Sequence, residues 1–308
     1  MKLLITGGLG HIGSSLIRKI SLKIPNAKIT LLDNFSSERY CSIFNLPIKK
    51  RIKLINENID KNNLKKIIPK VDVIIHLAAM TDAASSFGKE EIIMKNNFSN
   101  TKIVADICSK NNKKLIFISS TSVYGSGDKI MYENDLKNLN PQSPYAVTKI
   151  KEENYINKIK KQKKLKASIL RFGTIVGYSP GMRFHTAVNK FCLQASLSQK
   201  IDVWKTARHQ KRPYLGINDA VNSIIFFAKN KKKYNETYNV VTENLTVNQI
   251  LTHISKNRST KVNLMTHKIM NQLSYEVSTK KIDSIKVKMK DSIEKLIGEE
   301  LKILKKVY

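Results

Sequence analysis

Tyr145 and Lys149 stand four positions apart behind the dipeptide Ser143-Pro144, with Ser120 upstream in the run SSTSVYG. On a helix opening at Tyr145, positions i and i+4 share one face, so phenol and ammonium would lie side by side. A Lys ammonium favours the phenolate and lowers the pKa of a neighbouring Tyr towards working pH. Such a phenolate takes a proton from an alcohol while hydride leaves the alcohol carbon for an acceptor, and a Ser hydroxyl can hydrogen-bond the same oxygen. A bare Tyr-x-x-x-Lys means little in a chain so rich in Lys. The Ser-Pro opening and the upstream Ser make it specific. The alternative is an exposed helical Tyr–Lys pair beside an N-cap Ser.

The hydride acceptor has its place near the start of the sequence, in Ile5-Thr6-Gly7-Gly8-Leu9-Gly10-His11-Ile12-Gly13. Glycine is required where a strand-to-helix turn is tight and where backbone must approach a pyrophosphate. Gly7, Gly10 and Gly13 hold those places, and His11 and Ile12 open a helix whose N-terminus offers N–H donors and a positive dipole. Asp33 follows at the end of the second strand, with Asn34 after it. A carboxylate there accepts from the adenosine ribose hydroxyls and repels a 2′-phosphate. No Arg immediately follows, so NAD is favoured over NADP. The alternative for Asp33 is a turn residue opening a loop.

Around these residues the hydrophobic pattern predicts strands at 2–6, 28–32, 51–56, 71–77, 114–119 and 167–172. Helices are predicted at 12–22, 62–68, 90–110 and 145–161. Strands alternating with helices at this pace imply βαβ units and a doubly wound parallel sheet. After residue 172 the rhythm changes. A Gly-, Ser- and Pro-containing loop leads into a helix before 200, 212–217 reads as a return to the sheet, 219–228 as a helix and 237–241 as a strand. The rest is expected to be mostly short helices, with a turn-and-strand stretch at 282–289. The expected organisation is a dinucleotide domain from 1–172 and 207–241, with a smaller, mostly helical substrate-capping region from 173–206 and 242–308.

The bulk numbers fit a sizeable core, since 308 residues with 41% hydrophobic content match an ordinary globular protein. The formal net charge of +31 is extreme, but only eight of the 55 basic residues are Arg and the Lys are spread along the chain. A dedicated nucleic-acid binder shows Arg, aromatics and a localised basic stripe instead. The spread favours a solvated basic surface, although such a field would also draw a phosphorylated substrate. Three Cys, at 41, 108 and 192, form neither a disulfide framework nor a zinc spacing, so no metal is expected. A strand beginning at Lys2 leaves no room for a signal peptide, and no apolar run reaches membrane length. The expectation is a cytoplasmic protein with no membrane partner.

TGGLGHIG, LLDN, HLAA (76–79), SSTSVYG (119–125), SPYAVTK (143–149) and RPY (212–214) together resemble the extended short-chain dehydrogenase/reductase family over essentially the full length. The subgroup they resemble is the NAD-dependent nucleotide-sugar epimerases and dehydratases. The resemblance implies a Rossmann-type fold and makes Ser120, Tyr145 and Lys149 the catalytic trio. It implies that Ala78 and Ala79 line the cofactor, that Lys149 also binds the nicotinamide ribose, and that Asn97 positions the lysine through water. Asn58-Ile59 replaces the usual Asp-Ile beside the adenine, and His76 packs beneath the cofactor. Asn189 and Arg212 match positions that contact a nucleoside diphosphate; the alternative for Arg212 is an ion pair with Asp219. Arg183 and His185 face the sugar or serve the loop they sit in. Helices near 90–110 and 145–161 would pair in a homodimer.

Sugar 4,6-dehydratases of the family place Asp-Glu after the active-site hydroxyl, where this chain has Thr121 and Ser122. Without a carboxylate to act as acid or base, elimination of water is disfavoured. The expected reaction is NAD-dependent epimerisation of a nucleotide sugar, at C4 through a transient 4-keto intermediate. A C4 dehydrogenase or ketoreductase uses the same atoms and stands as the alternative. A catalytically silent RNA-binding or scaffold protein on the same fold is the alternative of another class, and the intact trio argues against it.

Overall fold

The computed structural model describes residues 1–47, 51–81, 87–127, 130–266 and 274–305. In chain order the first part runs β1 (Lys2–Thr6), α1 (His11–Lys23), β2 (Lys28–Asp33), β3 (Ile52–Asn56), α2 (Lys61–Ile67), β4 (Val73–His76), α3 (Glu90–Ile93), α4 (Ser99–Lys110), β5 (Lys114–Ser120), β6 (Ile130–Met131), α5 (Pro144–Lys163) and β7 (Ala167–Phe172). It continues with β8 (Thr174–Val176), α6 (Ala187–Ser196), β9 (Ile201–Trp204), β10 (Lys211–Gly216), α7 (Ile217–Lys229), β11 (Thr237–Val240), β12 (Glu243–Thr246), α8 (Val247–Ser255), β13 (Val262–Met265), β14 (Glu276–Val277), α9 (Lys280–Ser284) and α10 (Ile293–Lys305).

Seven strands form one parallel sheet in the order β11-β7-β5-β4-β1-β2-β3. Successive side chains of a strand face opposite sides, and here both sides are covered. Leu3 and Ile5 of β1 enter a core shared with α1 and α7, whereas Leu4 between them enters the core under α2, α4 and α5. The strand order reverses between β1 and β4, which opens a crevice at their carboxyl ends. This is the Rossmann-type doubly wound α/β sheet expected from the alternation of elements.

A second core, from α6, α8, α10 and the strands β8, β9, β10 and β12, lies outside that sheet. Lys211–Gly216 does not return to the main sheet. It pairs with β8 and antiparallel with β12 in a separate three-stranded sheet. Local apolar pattern identified the strand, but its partner was set by this second core. The stretch 282–289 contains the end of α9 and no strand, and residues after 242 include β12, β13 and β14 as well as helices. Segment 90–110 is interrupted too: a π-helical turn, Met94–Phe98, joins α3 to α4. Such turns widen a helix locally and often occur at functional sites.

Candidate active site

Gly7 follows β1 with φ +66, a conformation that costs an L side chain energy, and a Cβ there would stand 2.6 Å from the Ala78 backbone. A Cβ on Gly13 would collide with the Gly8 carbonyl, so the turn and α1 close tightly. Gly10 caps α1 without a side-chain bond, and no acidic residue occupies the first turn. The first N–H groups, around His11, Ile12 and Gly13, therefore face the crevice with the dipole uncompensated, which favours an anion. Asp33, half-buried at the end of β2, accepts from Leu9 N at 3.0 Å and from Phe35 N at 3.0 Å, which fixes the carboxylate beside the glycine turn. Asn34 and Asn58 meet each other across the tips of β2 and β3, Nδ2 to Oδ1 at 2.7 Å, with Ile59 half-buried behind them. Ala78 and Ala79 follow β4 at the same crevice.

His11 is buried, its Nε2 lies 2.7 Å from the Gly177 carbonyl, and burial pushes its pKa down to about 4. Loop 177–183 lies directly over the glycine turn. Ser179 Oγ donates to the His11 carbonyl at 2.8 Å, Gly181 N donates to Ser14 Oγ at 3.0 Å, and Arg39 bonds the Gly181 carbonyl. Arg39 and Arg183 both place positive charge near His11. Arg39 was not among the predicted site residues, because only the tertiary fold brings it to the turn.

Ser143 accepts from Ala146 N at 3.2 Å and Pro144 occupies the first helical turn, so α5 starts as the Ser-Pro pair predicts. Tyr145 and Lys149 then share the face that packs on β5, with 9% and 3% exposure. Lys149 Nζ lies 4.6 Å from the Phe117 ring centre and 5.8 Å from that of Tyr145. Ser120, the last residue of β5, accepts from Ser122 N at 3.1 Å and stands near enough to the Tyr145 phenol to favour its ionised form. The three side chains are thus assembled at the carboxyl edge of the sheet, and the reading of an exposed Tyr–Lys pair is excluded.

The electrostatics differ from expectation. Burial raises the Tyr145 pKa; Lys149 opposes this, Glu152 adds to it, and the net shift is upward rather than towards neutrality. Burial alone would lower the Lys149 pKa, but Glu152 and then Tyr145 outweigh it and the ammonium is stabilised. A carboxylate 3.0 Å from Nζ, absent from the sequence-based reading, has entered the balance.

Asn97 sits in the π turn, fully buried, and holds the Met80 backbone on both sides: Oδ1 accepts from Met80 N at 2.8 Å and Nδ2 donates to Met80 O at 2.9 Å. No hydrogen bond joins it to Lys149. Arg183 bonds the Thr81 hydroxyl, and its positive charge acts on Tyr145 in the direction of the phenolate without overcoming burial. His185 is exposed on the same loop. Asn189 donates to the Arg183 carbonyl at 2.9 Å and leaves a buried Oδ1 with no partner among the described residues. Arg212, on β10, has a buried Nε with no partner among the described residues and does not pair with Asp219. That carboxylate instead accepts from Thr242 Oγ1, Lys290 N and Asp291 N.

A brace missed in the sequence holds α5 to the sheet. Arg171, 1% exposed near the carboxyl end of β7, donates through Nε at 3.0 Å and Nη2 at 2.6 Å to Glu153, whose Oε1 also accepts from Ser119 at 2.5 Å. Arg171 Nη1 donates to Tyr124 Oη at 2.8 Å, and Tyr124 donates to Asn239 at 2.7 Å. A charged residue inside an otherwise apolar buried strand was the available signal, since it must have a partner.

A glycine turn at the switch point of a doubly wound sheet, with a Tyr–Lys pair at the carboxyl edge of β5, defines a Rossmann-type enzyme that works with a dinucleotide. The chain belongs to the NAD dependent epimerase/dehydratase family, whose profile matches residues 3–240. It is 32% identical over 262 residues to a dTDP-D-glucose 4,6-dehydratase of Dictyostelium discoideum, covering 79% of this chain but only 58% of that protein's length. It is 30% identical over 249 residues to an uncharacterized UDP-glucose epimerase of Bacillus subtilis, covering 78% of this chain and 76% of that one. The crystal structure of UDP-glucuronic acid 4-epimerase from Bacillus cereus, in complex with UDP-glucuronic acid and NAD, matches with a TM-score of 0.89 and 25% identity over 100% of both chains. Among the described residues, no helix is long and apolar enough to cross a membrane.

Proposed function

We propose that this protein is an NAD-dependent nucleotide-sugar epimerase that inverts C4 through a transient 4-keto sugar. The observation that carries this reading is an assembled Ser120–Tyr145–Lys149 group whose neighbours at 121 and 122 bear hydroxyls instead of carboxylates. Thr121 Oγ1 is engaged by the Phe172 carbonyl and Tyr275, and Ser122 Oγ is buried without a partner. Neither can serve as the acid or base of an elimination. The relatives named as epimerases of UDP-glucose and UDP-glucuronic acid support the same class.

The crevice residues fit NAD. Gly7, Gly10 and Gly13 with the first N–H groups of α1 would hold the pyrophosphate, Asp33 the adenosine ribose, and Asn34, Asn58 and Ile59 the adenine edge. Ala78 and Ala79 would line the crevice beyond β4, Asn97 would support it from behind through the Met80 backbone, and Lys149 would reach the second ribose. Bound there, NAD supplies a hydride acceptor and, in its oxidised form, positive charge beside the phenol. Tyr145 Oη takes the proton of the sugar hydroxyl and later returns it, Ser120 Oγ holds the same oxygen, and the Lys149 ammonium stabilises the phenolate. Arg183, Asn189 and Arg212 are assigned to the nucleoside diphosphate and sugar. The planar fork of Arg212 suits phosphate oxygens and its unpartnered Nε–H can donate to one, whereas the unpartnered Asn189 Oδ1 can accept from a sugar or ribose hydroxyl.

The protein is also proposed to be a homodimer through the faces of α3–α4 and α5. Ile92 and Val147 are exposed there, beside a hollow of about 430 Å³ lined by Glu91, Met94 and Phe98. Size exclusion giving a monomer at working concentration would remove this assignment. The reaction itself is tested by incubating the protein with UDP-, GDP-, CDP- and dTDP-sugars and NAD. A C4 epimer detected by NMR with no net reduced nicotinamide supports the reading. Stoichiometric reduced nicotinamide with a keto sugar would make it a dehydrogenase, and no product from any sugar would overturn the proposal.

A further inference from the structure

Behind the Tyr–Lys pair lies a buried polar chain that the proposed proton transfer does not itself use. Lys149 Nζ is 3.0 Å from Glu152 Oε2, one turn further along α5, and Glu152 is 1% exposed. That ammonium is the only partner Oε2 has among the described residues. The other oxygen, Oε1, accepts from Thr101 Oγ1 of α4. Thr101 Oγ1 lies 3.1 Å from His76 Nε2, and His76 Nδ1 lies 2.7 Å from Thr6 Oγ1. All of these side chains are 3% exposed or less.

Donor counting orders the chain. A carboxylate only accepts, so Thr101 gives its single proton to Glu152 and must accept from His76 Nε2–H. The other ring nitrogen then carries no proton and accepts from the Thr6 hydroxyl. Burial holds His76 neutral by pushing its pKa down to about 3, which agrees with this single tautomer. Every donor points towards Glu152, and Glu152 points at the ammonium. Asn97 makes no direct hydrogen bond to Lys149, and its side-chain amide holds the Met80 backbone.

We infer that Glu152 is a positioning residue whose carboxylate, oriented by Thr101 and His76, holds the Lys149 ammonium charged and in place beside Tyr145. The inference rests on the assignment of Tyr145 as the proton acceptor, but the holding of Lys149 can be measured without turnover. The titratable groups facing Lys149 are Tyr145, Glu152 and Glu153 of α5 and His76 of β4, while Arg183 acts on Tyr145 from the loop above. Removing Glu152 takes a negative charge from beside both Lys149 and Tyr145, so both should lose their protons at lower pH.

The test is an NMR titration of the lysine side-chain signals, with Lys149 assigned by its loss in Lys149→Arg. In Glu152→Gln, the Lys149 ammonium should titrate at lower pH than in the wild type. With an epimerised sugar in hand, kcat should fall about 10- to 100-fold with KM changed less than about threefold, and both limbs of the pH–kcat profile should move to lower pH. Thr101→Val leaves the charge pair in place, removes its orienting hydroxyl, and should shift Lys149 the same way by less. An unchanged Lys149 titration in both variants, with only a lower unfolding temperature, would overturn the inference. A wild type inactive on every sugar, yet with Lys149 shifted in Glu152→Gln, would count against the proposed reaction and leave the Glu152–Lys149 coupling standing.

Discussion

Glu153 in α5 and Glu300 in α10 are both almost fully buried, at 3% and 1% exposure, in the two different cores. Glu153 is held by Arg171 through two nitrogens and by the Ser119 hydroxyl. Glu300 has no hydrogen-bond partner on either oxygen among the described residues, and burial alone pushes its pKa up to about 8. Next to the chemistry, buried charge is paired and hydrogen-bonded, so the helix that carries Tyr145 and Lys149 has one seat on the sheet. In the second core a carboxyl is tolerated by staying protonated, which fixes no geometry and makes that half sensitive to pH.

The contrast is broken most severely by Arg171→Met, which leaves Glu153 buried without its counter-charge. Loss of about 3–5 kcal/mol of unfolding free energy is expected by chemical denaturation, because breaking a buried pair costs far more than the pair was worth. A loss under about 1 kcal/mol would show that the brace is dispensable. Glu300→Leu should act in the opposite direction. The folded-state pKa of Glu300 is raised above its unfolded value of 4.5, so the wild type loses stability as pH rises from there through about 8. The substitution should therefore stabilise at pH 8 by a few kcal/mol and change little at pH 4. The smallest effect is expected from Ser143→Ala, which removes the cap of α5 and should cost about 1 kcal/mol while the Arg171 brace keeps the helix seated.

The glycine turn, Asp33, Ser120, Tyr145 and Lys149 were legible because each depends on local geometry: a strand end, a tight turn or an i, i+4 face. The parallel sheet followed from the alternation of apolar runs with helical ones. Residues that act through tertiary neighbours were not legible. Glu152 and Glu153 follow the Tyr-x-x-x-Lys motif as ordinary polar positions of a helix, and nothing local shows that they turn inwards. The pairing of β10 depended on a partner strand, β12, that lies beyond α7 and β11. Lys149 does act on Tyr145 in the expected direction, but the net upward shift was not legible, since the burial of Tyr145 and the Glu152 charge are both products of packing.

The central claim is that Tyr145 is the proton acceptor of a dinucleotide-dependent reaction. Tyr145→Phe keeps the ring that fills its pocket and removes only the hydroxyl. NAD affinity by calorimetry should stay within about twofold of wild type, while turnover of the sugar identified in the panel falls by about 10²- to 10⁴-fold. Turnover in the Phe variant equal to that of wild type would contradict the account.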